Sequence, residues 1–129
     1  MGIAVERHDG GVAVVTLSEE AARNAFSRTS IHEMANVMGV LLDDSTCKSI
    51  VLTGTGRFFC TGADIDEFAD SIDDGSVGNL VDELTSVLHP LELRLRRSPT
   101  VFIAAINLSL IHISEPTRQE AISYAVFCL

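Results

Sequence analysis

The sequence predicts an α/β fold built on a parallel crossover, and three observations carry that reading. A turn signal, Asp9-Gly10-Gly11, joins the weakly alternating stretch Ile3 to Arg7 to the apolar run Val12 to Leu17, as in a β-hairpin. A helical pattern then leads into a second β-rich run, Ser49-Ile50-Val51-Leu52-Thr53, so strand, helix and strand follow one another in crossover order. Farther on, Val101 to Ile106 is apolar on both faces, the composition of a central parallel strand.

The elements between these landmarks follow from spacing. Ser18 to Phe26 is polar and irregular, after which Ile31, Met34, Met38, Leu41 and Leu42 recur at helical intervals with Ser27 available as N-cap, giving a helix from Arg28 to Leu42. Asp43-Asp44-Ser45 ends it. The strand at Ser49–Thr53 stops at Gly54-Thr55-Gly56, and a loop from Phe58 to Gly62 follows. Asp64-Ile65-Asp66-Glu67 has the form of a capping box, with Asp64 accepting from a first-turn amide and Glu67 reaching back to the cap. The Gly-bearing acidic stretch from Asp70 to Asn79 reads as a mobile connection or helix end. Leu80, Leu84, Val87, Leu88, Leu91 and Leu95 mark a further amphipathic helix, which Pro90 is expected to kink or restart, and Arg94, Arg96 and Arg97 suit its C-terminus.

Composition bounds the function. At 129 residues, 47% apolar and 21% charged, the chain is long and apolar enough for one folded core. Nine Lys and Arg against eighteen Asp and Glu leave a net charge of −9, which repels phosphate backbones and anionic lipid, so neither nucleic acid nor membrane is an expected partner. The sequence has no apolar run of membrane-spanning length, and Met1 to Asp9 lacks a secretory pattern; a cytoplasmic location is the expectation. Cys47, Cys60 and Cys128 are odd in number and widely spaced, and His8, His32, His89 and His112 stand apart, so neither disulfides nor a metal site is expected.

Chemistry concentrates between Ile50 and Ile65, where a strand ends, turns on glycines and delivers backbone amides at a helix start. An amide there, that of Ala63, is suited to stabilise the negative charge that develops when a thioester becomes an enolate. Read on spacing alone, the same residues also describe a tight turn in which Gly62 serves only its dihedral angles. A nucleotide-binding reading of Gly54-x-Gly56 is weakened because Phe59 stands where the third glycine belongs. Cys60 has no His or carboxylate placed to activate it and reads as a small buried hydrophobe.

Three colinear segments resemble one family. Arg23-Asn24-Ala25-Phe26-Ser27, then Leu52-Thr53-Gly54-x-Gly56-x-Phe58-Phe59-Cys60-x-Gly62-Ala63-Asp64-Ile65, then Pro99-x-x-x-x-Ala104-Ala105-Ile106-Asn107 are similar to the enoyl-CoA hydratase/isomerase (crotonase) superfamily across residues 3–107. The resemblance implies a crotonase-like spiral of ββα units, here truncated, that binds acyl-CoA and holds the thioester oxygen between two backbone N–H groups. Ala63 matches the first of these catalytic amides. Arg23, Asn24, Ala25, Gly62, Asp64, Ile65 and Asp66 match the segments that hold the CoA part of the substrate. Asp66 departs from the family, which often has a basic residue there, so phosphate attraction passes to Arg23 or Arg57. The implied activity is that of a hydratase or isomerase, with CoA entering as part of the substrate, no other cofactor, and a homotrimeric or hexameric parent. A non-catalytic CoA-binding or scaffold protein of the same fold is the alternative.

Beyond Asn107 the resemblance stops. Leu108-Ser109-Leu110-Ile111 stands where relatives have a Gly-rich loop that gives the second amide, and Glu115 and Glu120 do not align with the family's acidic residues. Residues 108–129 look like the translated read-through of a sequencing adapter, although Ile122, Tyr124, Val126 and Phe127 would also suit a terminal strand. Residues 1–107 are therefore read as the N-terminal part of such an enzyme, inactive alone and expected to expose apolar surface.

Overall fold

The computed structural model describes residues 2–107 and the backbone of residues 126–128. Strands β1 (Ile3–His8) and β2 (Val12–Leu17) form the expected antiparallel hairpin, with Ile3 opposite Leu17 and His8 opposite Val12. Gly10 and Gly11 turn the chain at φ 82° and 78°, a region that L side chains rarely adopt, and a Cβ on Gly11 would lie 2.5 Å from the Thr46 carbonyl oxygen.

Helix α1 (Arg28–Asp43) carries the chain from β2 to β3 (Ser49–Gly54), which pairs parallel to β2. Its start is closed reciprocally: Ser27 Oγ accepts from the Ser30 amide at 3.2 Å, and Ser30 Oγ accepts from the Ser27 amide at 2.8 Å. Helices α2 (Ile65–Asp73) and α3 (Val77–Arg97) then lead to β4 (Val101–Ala105), parallel to β3. The sheet order is β1-β2-β3-β4-β5, in which β5 (Val126–Cys128) pairs antiparallel to β4. Part of the terminal apolar run thus forms a strand; the readings made for residues 108–125 lie outside the described residues.

One core joins the sheet to the helices. Ala13, Val15 and Leu17 of β2 meet Met34, Met38 and Leu41 of α1, Ile50, Phe102, and Leu91 and Leu95 of α3, all nearly inaccessible to solvent. Each fully buried large side chain contributes about 1.5–3 kcal/mol relative to exposure, which holds α1 and α3 against the sheet. Val40, Ile65 and Ile72 remain exposed, at 63%, 72% and 57%.

Two expectations are narrowed. The stretch from Asp70 to Asn79 holds the helix end that was one of its two readings, but little connection: α2 runs to Asp73 and α3 starts at Val77, leaving a short turn in which Asp74 Oδ1 accepts from the Ser76 amide at 2.9 Å. Helix α3 also continues through Pro90 without a restart. Pro90 is exposed, so the amide it lacks is missing on the solvent side, while buried Leu80, Leu91 and Leu95 anchor the helix on both sides of it. Among the described residues, no helix is long and apolar enough to cross a membrane.

Candidate functional site

The register pairs Leu17 with Gly54, so β2 and β3 end side by side at the carboxyl edge of the parallel pair. Open parallel sheets place their ligands at that edge. The two segments that leave it, residues 18–26 and 55–64, run against each other and build the site.

The first segment makes a single 3-10 turn (Glu20–Ala22) and then places Arg23 and Asn24 in the left-handed region, at φ 54° and 57°. Such a conformation costs a non-glycine residue about 1 kcal/mol or more, least for Asn, whose short polar side chain bonds locally. Asn24 is 3% exposed and its Nδ2 donates to two carbonyl oxygens of the second segment, Thr55 at 3.1 Å and Phe58 at 2.7 Å. Gly54 permits this approach, because a Cβ there would lie 2.6 Å and 2.8 Å from the Phe59 and Phe58 carbonyl oxygens and 2.9 Å from Asn24 Nδ2. Below that contact, Thr61 Oγ1 donates to the Arg23 carbonyl at 3.3 Å.

Phe26 and Ala63 then form a one-residue parallel bridge outside the sheet. The Phe26 amide donates to the Gly62 carbonyl at 2.8 Å and the Asp64 amide donates to the Phe26 carbonyl at 2.9 Å. In a parallel ladder, the residue between two such bonds turns its own N–H and C=O away from the partner strand. The Ala63 N–H consequently points outward, from an exposed residue, and has no hydrogen-bond acceptor among the described residues.

Ala63 precedes Asp64, the N-cap of α2, so the helix N-terminus adds a positive field near its amide. Asp64 is the N-cap, its Oδ1 accepting from the Glu67 amide at 3.0 Å. The return half of the expected capping box is absent: the Asp64 amide is bonded to Phe26, and Glu67 Oε2 accepts instead from the Arg28 amide at 2.9 Å. A carboxylate of α2 thereby meets the orphan amides at the start of α1.

Beside this bridge lies a cleft of about 530 Å³ whose walls include Arg23, Ala25, Thr61, Asp64, Ile65 and Asp66. Five of the residues expected to contact substrate line it, whereas buried Asn24 and exposed Gly62 and Ala63 are not part of its lining. Gly62 has φ 94° with open space where a Cβ would stand, so backbone conformation alone favours glycine there. Arg23 and Arg57 approach the Phe58 ring, 6.0 Å and 5.8 Å from its centroid, and so bring two cations together in an acidic chain, of which Arg23 also lines the cleft. Cys60 is half-buried; burial pushes its thiol above the ordinary range, and the Gly62 amide donating to Sγ at 3.4 Å opposes part of that rise. Among the described residues, no cluster of three or more His, Cys, Asp or Glu is placed to hold a metal ion.

Comparison with known proteins agrees with this architecture. The family model described as enoyl-CoA hydratase/isomerase matches residues 7–109. Enoyl-CoA hydratase ACTT3 of Alternaria alternata is 32% identical over 97 residues, covering 75% of this chain and 31% of that protein. The 2,3-dehydroadipyl-CoA hydratase of Escherichia coli is 31% identical over 96 residues, covering 74% of this chain and 35% of that protein. Among solved structures, PA4980 of Pseudomonas aeruginosa superposes with a TM-score of 0.72 at 27% identity, over 83% of this chain and 44% of its own. Enoyl-CoA hydratase from Bacillus anthracis gives 0.70 at 25% identity, over 82% and 40%. The chain thus spans about a third of the length of the curated relatives it matches. With the motif segments, the sheet order and the family model in agreement, the chain belongs to the enoyl-CoA hydratase/isomerase family and has its crotonase-like fold.

Proposed function

We propose that this chain carries the acyl-CoA-binding edge and one oxyanion amide of an enoyl-CoA hydratase or isomerase. The observation that supports it is the Ala63 N–H, unpaired and outward-facing while both neighbouring bonds are taken by Phe26. A thioester carbonyl seated against that amide gains charge on oxygen as the enolate forms, and a pre-oriented donor of this kind contributes about 3 kcal/mol to the transition state. The N-terminal field of α2 adds to this effect, and exposed Asp66 subtracts from it weakly through solvent.

In this reading CoA is part of the substrate and no further cofactor takes part. Arg23, Ala25 and Asp64 to Asp66 flank the CoA chain, and Ile65, 72% exposed, offers it an apolar contact. Arg23 and Arg57 supply the cations for its phosphates. A carboxylate proton carrier, a second amide and a trimeric or hexameric assembly complete the enzyme in the proposal. Asp64 and Glu67 are not that carrier, because both carboxylates are engaged in capping helices.

That engagement favours a second reading, a CoA-binding module that does not catalyse. Titration calorimetry with CoA against NAD tests the binding claim shared by both: heat with CoA and none with NAD supports it, and the reverse overturns it. Loss of enoyl-thioester absorbance from crotonoyl-CoA, measured on the complete protein that carries this segment, then separates the readings, since turnover there supports the enzyme and binding without turnover selects the module.

A further inference from the structure

We infer that Asn24 is a positioning residue, an amide clamp that fixes the 55–64 segment and so aims the Ala63 N–H; its catalytic meaning rests on the function proposed above. The family resemblance put Asn24 among substrate contacts, but its side chain is buried and directed into the protein. Both its amide contacts are carbonyl oxygens, Thr55 and Phe58, which lie on either side of the Gly56-Arg57 turn. Two acceptors fix the orientation of the side chain, since a flipped amide would set oxygen against oxygen.

The remaining Asn24 atom argues the same way. Its Oδ1 is buried and has no partner among the described residues, so the side chain is held here by what it donates. The turn is gripped from a second direction by Asn107, two residues past β4, whose Nδ2 donates to the Gly56 carbonyl at 2.9 Å. Farther along, Thr61 and the Phe26–Ala63 bridge tie the same segment to residues 23–26. The left-handed residues Arg23 and Asn24 thus form a template on which residues 55–64 are laid, and of the two Asn24 is the one whose side chain hydrogen-bonds to that segment.

Two substitutions separate the clamp from the backbone conformation. Asn24→Gly keeps easy access to φ 57° and removes both donors; Asn24→Asp keeps the shape and turns an acceptor toward two carbonyls. The measurement is amide hydrogen exchange on the full chain, followed at Thr55 and Asp64, whose amides are bonded to Leu17 and Phe26. Both variants are expected to exchange at least roughly tenfold faster there, with β2 and α3 amides unchanged. Wild-type rates in Asn24→Gly would overturn the clamp, and so would acceleration spread evenly over the sheet.

A spectroscopic readout carries the link to Ala63. Crotonoyl-CoA labelled with ¹³C at the thioester carbonyl is expected to shift downfield on binding to the wild type and to lose most of that shift when bound to Asn24→Gly. A full shift retained in the variant overturns the positioning role. If the wild type fails to bind the thioester while both variants still loosen residues 55–64, the clamp stands and the acyl-CoA reading falls.

Discussion

Glu67, in the first turn of α2, accepts a 2.9 Å hydrogen bond from the backbone amide of Arg28, the first residue of α1. One half-buried carboxylate thus joins the first turns of two helices through a contact between residues 39 apart in sequence. Replacing Glu67 with Ala removes a charged acceptor from a helix N-terminus and should lower unfolding stability by about 1–2 kcal/mol, with Glu67→Gln losing less. Urea denaturation of the two variants checks the order; equal stability of all three proteins would contradict it.

The turn after β3 has no room for a side chain at position 54. Alanine there would press its Cβ on two backbone carbonyls, which cannot swing aside, and on the Asn24 side-chain amide, which is held by its two hydrogen bonds. Gly54→Ala should cost about 1–3 kcal/mol and weaken CoA binding, whereas Gly78→Ala, with open space around it inside α3, should be neutral or stabilising. Thermal melts of the pair measure the contrast.

Cys60 should behave as a packed thiol. Its raised value means that less thiolate is present at pH 8 than in an unfolded chain, so alkylation mapped to Cys60 should be several times slower in the folded protein than in urea. The sign for stability follows: an acid whose folded value is raised gives its contribution below the unfolded thiol value and loses it as pH climbs through the folded one, so the Cys60 contribution falls on the alkaline side.

Asp44 titrates in the opposite direction. Hydrogen bonds from the Thr46 hydroxyl and amide, and then from Arg7, lower its carboxyl to about 2. Its contribution is present above the unfolded value of 3.8 and is lost as pH falls toward 2. The carboxyl carbon resonance, followed by NMR between pH 1.5 and 5, should show that midpoint; a midpoint near 4 would mean that the Thr46 contacts do not hold in solution.

What the sequence made readable was local. The hairpin at Asp9-Gly10-Gly11, the Ser27 cap and the Gly54-x-Gly56 strand end are signalled by adjacent residues, and each stands where the pattern put it. The partner of Glu67 and the two acceptors of Asn24 lie 31 to 39 residues away, and no periodicity announces such contacts. The leucines from Leu80 to Leu95 signalled α3, and Pro90 left open only whether it kinks or restarts; buried leucines on both flanks decide against a restart. Ala63 was legible from the glycine turn before a helix start and from the resemblance; that its N–H is unpaired emerges only once Phe26 is seen to take the bonds on either side.

The most direct measurement of the acyl-CoA account is a ¹⁵N-resolved NMR titration of the chain with crotonoyl-CoA. The account predicts that the Ala63 amide proton moves downfield as a thioester oxygen comes to accept from it, together with shifts at Thr61, Asp64 and Ile65, while amides in the middle of α3 stay in place. Saturable binding that leaves the Ala63 amide where it was, or no binding at millimolar ligand, would contradict it.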